Sequence, residues 1–172
     1  MVSAADSRSA AVEPPELLVE NHESAVGPAL VTGFLVERFP GAAPDSLQDL
    51  ASIARLRHFD DGAVLFREGT ASHGIFLVRS GRVKLTFNSR RGQHFLLETA
   101  GPGEILGLGA AVSGKSHETT AEAMSPIEAI YVRRSDFLRF LREHADVCLE
   151  IIRTLTSDLD SAYERVRSYR LR

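Results

Sequence analysis

The spacing of apolar residues changes character twice along this chain. Between Gly27 and Phe39, Leu30, Phe34 and Leu35 recur at helical spacing and predict a short helix. Ser46 is placed to cap a second helix that carries Leu47, Leu50, Ile53 and Ala54 and runs to about Arg57. From Gly62 onward the helical period disappears. Ala63–Phe66, Ile75–Val78, Arg82–Phe87, His94–Thr99, Thr119–Ala123 and Ile127–Val132 read as short strands. In the third of these, Val83, Leu85 and Phe87 alternate with Arg82, Lys84 and Thr86, as on a half-buried strand. Ser80-Gly81 and Arg91-Gly92 supply turn chemistry, and Ser125-Pro126 separates the last two strands. Many short strands with no helices between them predict a closed or double-sheet β architecture.

The helical period returns after Ser135, where Gly and Pro vanish from the sequence. Ser135 is placed to cap a short helix through Arg142, with Asp136 favourable in its first turn. Then Cys148, Ile152, Leu155, Leu159, Ala162, Val166 and Tyr169 step by 4, 3, 4, 3, 4, 3. This is a heptad seam on a helix of roughly 25 residues. Charged residues surround it, which predicts pairing with a second copy. Packing of the stripe onto the chain's own barrel is the alternative. Three regions follow: residues 1–45 as a mobile extension with a short helix, 46–142 as a β-roll with flanking helices, and 143–172 as a dimerisation helix.

Composition narrows the function classes. A net charge of −3 on 172 residues gives no general affinity for nucleic acid. The single cysteine, Cys148, excludes an intrachain disulfide framework and an all-cysteine iron–sulfur cluster. It suits the reducing cytoplasm, which is the expected location. No apolar run is long enough to cross a bilayer, so no membrane partner is expected. No Ser-His-Asp or paired-carboxylate constellation assembles from the spacing, so no catalytic site is expected. The six histidines lack metal-ligand spacing, and neither a metal nor another cofactor is expected, although a roll histidine ligating a metal or haem stays open.

Several glycine-punctuated motifs, taken together, resemble one family. They are Phe59-Asp60-Asp61-Gly62 with Leu65-Phe66-Arg67-Glu68-Gly69, then Ile75-Phe76-Leu77-Val78-Arg79-Ser80-Gly81-Arg82-Val83, then Gly101-Pro102-Gly103-Glu104-Ile105-Leu106-Gly107. From about Arg57 to its end the chain resembles the superfamily of the cyclic-AMP receptor protein and the fumarate–nitrate respiration regulator (Crp/Fnr). The resemblance implies a mostly β fold with helices: a double-stranded β-helix (jelly roll) of the cyclic-nucleotide-binding type, flanked by N-terminal helices and a long C-terminal dimerisation helix. It also implies transcriptional control by a small-molecule effector bound in the roll.

Cyclic-AMP-binding members hold ribose with a Glu after the loop glycine, and phosphate with an Arg about ten residues later. Aligned without a gap, Leu108 stands at the Glu position and Glu118 at the Arg position, while Thr119 keeps the hydroxyl. Ala162 and Tyr163 fall where the long helix contacts the base. A carboxylate about 4 Å from a phosphate is unfavourable by roughly 4 kcal/mol at an effective dielectric near 20. The expected pocket, Gly107, Leu108, Gly109, Ala110, Glu118, Thr119 and Thr120, is therefore a degenerate one that does not take cyclic AMP. In the family a winged helix-turn-helix follows the long helix. Here the sequence stops at Arg172, so DNA is a partner only if such a domain follows in a longer protein.

A second function class competes for the same loop. Gly109-Ala110-Ala111-Val112-Ser113-Gly114-Lys115-Ser116 matches GxxxxGK[ST], the P-loop pattern of nucleotide-binding enzymes. That motif needs a parallel strand before it and a helix directly after it. The Thr-rich segment from His117 to Ala123 predicts a strand there instead.

Overall fold

A computed structural model of the protein describes residues 28–170. The extension expected over residues 1–27 lies outside the described residues. The short helix expected between Gly27 and Phe39 is present. Helix α1 (Pro28–Arg38) buries Val31 and Leu35. Helix α2 (Pro44–Ile53) begins with Pro44 in its first turn, where a missing N–H costs little. Ser46 lies inside α2 and is not its cap, because Ala43 holds the cap position without a side-chain bond. The missing acceptor comes from another helix. The Asp146 carboxylate accepts from the Ala43 N–H at 2.7 Å and from the Ser46 hydroxyl at 3.1 Å.

The helix predicted to run to Arg57 stops at Ile53. Ala54 adopts extended backbone at φ −87°, ψ 152°. It opens strand β1 (Ala54–Phe59), which pairs antiparallel with β8 (Ile127–Arg133), Leu56 opposite Ile130. The intervening strands are β2 (Val64–Phe66), β3 (Gly74–Ser80), β4 (Val83–Asn88), β5 (His94–Ala100), β6 (Ile105–Leu106) and β7 (Thr120–Ala123). They form two four-stranded antiparallel sheets in the orders β1-β8-β3-β6 and β2-β7-β4-β5. This is the expected jelly roll.

Strand β3 of the first sheet is buried on both faces. Ile75 and Leu77 of β3 face a core shared with α1, α2 and two later helices, where Phe137, Phe140, Val147 and Ile151 are also buried. Phe76 and Val78 face the roll interior with Val83, Leu85, Ala121 and Ile127. Two-sided burial is why Ile75–Val78 is an unbroken apolar run rather than an alternating one. The second sheet ends in β5, whose Phe95, Leu96 and Leu97 are exposed.

Helix α3 (Leu108–Ser113) was not anticipated. It is bounded by Gly107 and Gly114, both left-handed at φ 79° and 72°. It also removes the P-loop reading. Gly109–Ser113 is helical, the upstream β6 runs antiparallel to β3, and the next element after Lys115 is strand β7. Helix α4 (Arg134–Glu143) starts behind Arg133, so Ser135 sits in its first turn and does not cap it; Asp136 is in that turn as expected. Helix α5 (Ala145–Arg170) spans 26 residues.

Candidate effector site

Between the roll and the long helix lies a half-open cavity of about 520 Å³. One wall comes from β4 and β5 (Leu85, Glu98, Ala100), another from the turn into α3 (Gly107, Leu108, Gly109, Ala110), and a third from Lys115–Thr119. α1 contributes Arg38, and α5 contributes Ile151, Thr154, Leu155 and Asp158. Of the residues expected from the sequence, Gly107, Leu108, Gly109, Ala110, Glu118 and Thr119 line the cavity. Thr120 does not; its hydroxyl accepts from the Glu68 N–H at 3.0 Å. The Leu108 side chain is buried in the helix-side core. Glu118 is exposed at the cavity rim.

The contribution of α5 comes from its second to fourth turns. Thr154 and Asp158 line the cavity, whereas Ala162 and Tyr163 are not among its lining residues. Arg38 bridges the parts. Its guanidinium donates to the Gly103 carbonyl and, at 3.3 Å, to the Thr154 hydroxyl. Burial lowers its pKa, and Asp158 and Glu150 counteract this. Arg38 belongs to the N-terminal helix, outside the segment carrying the motifs, so no sequence pattern marks it.

His117 was also missed. It is 5% exposed, and its ring stacks on Phe66 with centroids 4.0 Å apart and planes 12° apart. Among the described residues its ring nitrogens have no hydrogen-bond partner. Burial pushes its pKa below that of an ordinary imidazole, and nearby His73 adds to the effect. The sequence signal for it was the two-residue period of β7. Ala123 and Ala121 are buried, so alternation extended backwards turns Thr119 and His117 inward and Glu118 outward.

On the expected dimer seam, Cys148 is half-buried and free, and Ala162 is half-buried. Ile152, Leu155, Leu159, Val166 and Tyr169 are exposed on the single chain. Among the described residues no group of three His, Cys, Asp or Glu side chains converges as a metal site requires. No helix among them is long and apolar enough to cross a membrane.

A jelly roll with a cavity between the roll and the helix leading out of it is the architecture of a cyclic nucleotide-binding-type fold. The sequence profile described as "Cyclic nucleotide-binding domain" matches residues 56–144. The cyclic AMP receptor protein of Thermus thermophilus is 29% identical over 60% of this chain and 48% of its own length. The solved catabolite activator protein of Thermus thermophilus superposes at a TM-score of 0.66 with 26% identity, covering 75% of this chain and 61% of that one. The sensor domain of the transcriptional regulator DNR from Pseudomonas aeruginosa shares the fold at a TM-score of 0.66 and 23% identity, over 80% of this chain and 93% of that one. The chain belongs to the cyclic nucleotide-binding domain family. It spans about half the length, or less, of the curated relatives it matches.

Proposed function

We propose that this chain is the effector-sensing and dimerisation module of a Crp/Fnr-type transcription regulator, with a cavity that does not take cyclic AMP. One observation carries the reading: the cavity lining runs directly into the seam helix. Leu155 lines the cavity and is also a seam position, so a bound effector touches the surface through which two copies pair. The exposed seam residues Ile152, Leu155, Leu159, Val166 and Tyr169 support a parallel homodimer through α5. Burying them offsets the entropy of association at about 1–2 kcal/mol per position. The module works in the cytoplasm. DNA is a partner only if a helix-turn-helix follows in a longer protein, and no membrane is involved.

The pocket reading rests on Leu108 and Glu118 in place of groups that would hold ribose and phosphate. Losing one partner of a buried charge pair costs ~2–5 kcal/mol, and here a like charge stands in for the second. Two measurements test the reading. Light scattering of Leu155→Lys combined with Leu159→Lys is expected to give monomers, and a persistent dimer would put the interface elsewhere. Calorimetry with cyclic AMP is expected to show no dissociation constant in the low micromolar range. Binding at that strength would overturn the degenerate pocket.

A further inference from the structure

The cavity's back wall carries an unused polar group. His117 is 5% exposed, lines the cavity, and has no hydrogen-bond partner for either ring nitrogen among the described residues. A buried imidazole N–H and lone pair left unmet are costly, so such a group is a handle waiting for a ligand. Phe66 stacks behind the ring at 4.0 Å. Gly107, at φ +79°, packs close against the ring's Cε1 edge, where a Cβ would stand 3.2 Å from the His117 Cε1 and 3.3 Å from the Gly74 carbonyl oxygen.

The charges around the cavity point to the ligand's character. Four carboxylates, Glu98, Glu104, Glu118 and Asp158, line it or its rim, Glu98 and Glu118 exposed to solvent, against two cations, Arg38 and Lys115. Arg38 is already committed to the Gly103 carbonyl and the Thr154 hydroxyl. A phosphate monoanion entering here meets a net negative field and finds no free buried guanidinium. An uncharged molecule with hydroxyl or amino donors finds acceptors in the rim carboxylates. If it also has a planar ring edge with donors and acceptors, His117 offers one of each.

We propose that His117 sets the ligand class of this cavity, and that the class is an uncharged nucleoside in place of a nucleotide carrying a phosphate. The inference rests on the reading of the cavity as the effector site. His117 bonds the base edge, and the carboxylates accept from the sugar hydroxyls.

Calorimetry with two probes, adenosine and cyclic AMP, tests this on the whole chain. The wild type is expected to bind adenosine roughly tenfold or more tightly than cyclic AMP. His117→Phe keeps the stack on Phe66 and removes both ring nitrogens. It is expected to lose adenosine by roughly tenfold or more while keeping its melting temperature. His117→Arg supplies a guanidinium and is expected to reverse the preference in favour of cyclic AMP. Undiminished adenosine binding by His117→Phe, a wild-type preference for cyclic AMP, or no adenosine binding by the wild type would each overturn the inference. Ala110→Trp, which fills the cavity from α3, separates this failure from that of the underlying reading. If it abolishes probe binding while His117→Phe does not, only the role of His117 falls. If probe binding survives it unchanged, the cavity itself is not the effector site.

Discussion

In the first two turns of α5, Val147 and Ile151 are 0% and 5% exposed, closed in among Phe137, Phe140 and the apolar residues of α2. Further along the same helix, Leu159, Val166 and Tyr169 are 51%, 55% and 82% exposed. The side chains are of the same kind and the helix does not break between them. What changes is the neighbour: the chain's own core covers the first part, and among the described residues nothing covers the second. Periodicity therefore says which face of a helix is apolar and leaves open what lies against it. An apolar stripe that outruns its own domain marks a surface meant for something else.

This contrast can be broken most directly by truncation. Phe137→Ala, at a site 1% exposed, is expected to lower unfolding stability by about 3–5 kcal/mol in urea titration. Leu159→Ala, measured in dilute monomer, is expected to cost less than about 0.5 kcal/mol. Equal losses at the two sites would mean that the distal helix packs on its own roll. Gly81→Ala comes next, at about 1–3 kcal/mol by the same assay. Gly81 holds φ +85°, and a Cβ there would lie 2.5 Å from both the Pro126 carbonyl oxygen and the Ile127 side chain.

Acid sharpens the same contrast, because both shifted acid–base groups named here belong to the packed part. The Ala43 N–H and the Ser46 hydroxyl hold the Asp146 carboxyl below its ordinary range. A depressed carboxyl contributes stability that is present above the unfolded pKa of about 3.9 and is lost as pH falls through the folded value. His117, kept neutral by burial, makes the fold lose stability once pH drops below the unfolded imidazole value of about 6.5. Thermal melts across pH are thus expected to show two losses on acidification. The upper one is absent in His117→Gln and the lower one in Asp146→Asn. A melt insensitive to pH between 7 and 3 would contradict both assignments. The smallest effect belongs to the distal helix. Arg167→Ala removes an exposed pair with Glu164 at 2.9 Å and is expected to change stability by less than about 0.5 kcal/mol.

How far the sequence could be read follows the range of the interactions involved. The strands from Val64 to Arg133, apart from the two-residue β6, were visible because each carries its own alternation or apolar run between turn residues. β1 was not, because Ile53 and Ala54 fit a helical stripe and only pairing with the distant β8 makes Ala54–Phe59 extended. The caps failed for a similar reason. Ser46 and Ser135 have suitable chemistry, but the helices start before them, and α2 borrows its acceptor from Asp146 far along the chain. Of the candidate site, the glycine-rich turn was legible because left-handed backbone demands glycine. Arg38 and Asp158 were not, since separate helices bring them to the cavity and no local pattern records that meeting, whereas the period of β7 extended backwards would have turned His117 inward.

The 26 residues of α5 span about 39 Å, of which the last dozen, beyond the cavity at Asp158, account for roughly 18 Å. A rod anchored at one end magnifies small rotations. A tilt of about ten degrees at Asp158 carries the tip through roughly 3 Å, more than half of one helical pitch. The base of this rod is gripped by Arg38 through Thr154 and by Asp146 through Ala43 and Ser46, whose bonds are all short-range. Geometrically, then, a small change in direction near Asp158 is a much larger displacement at the far end of the helix.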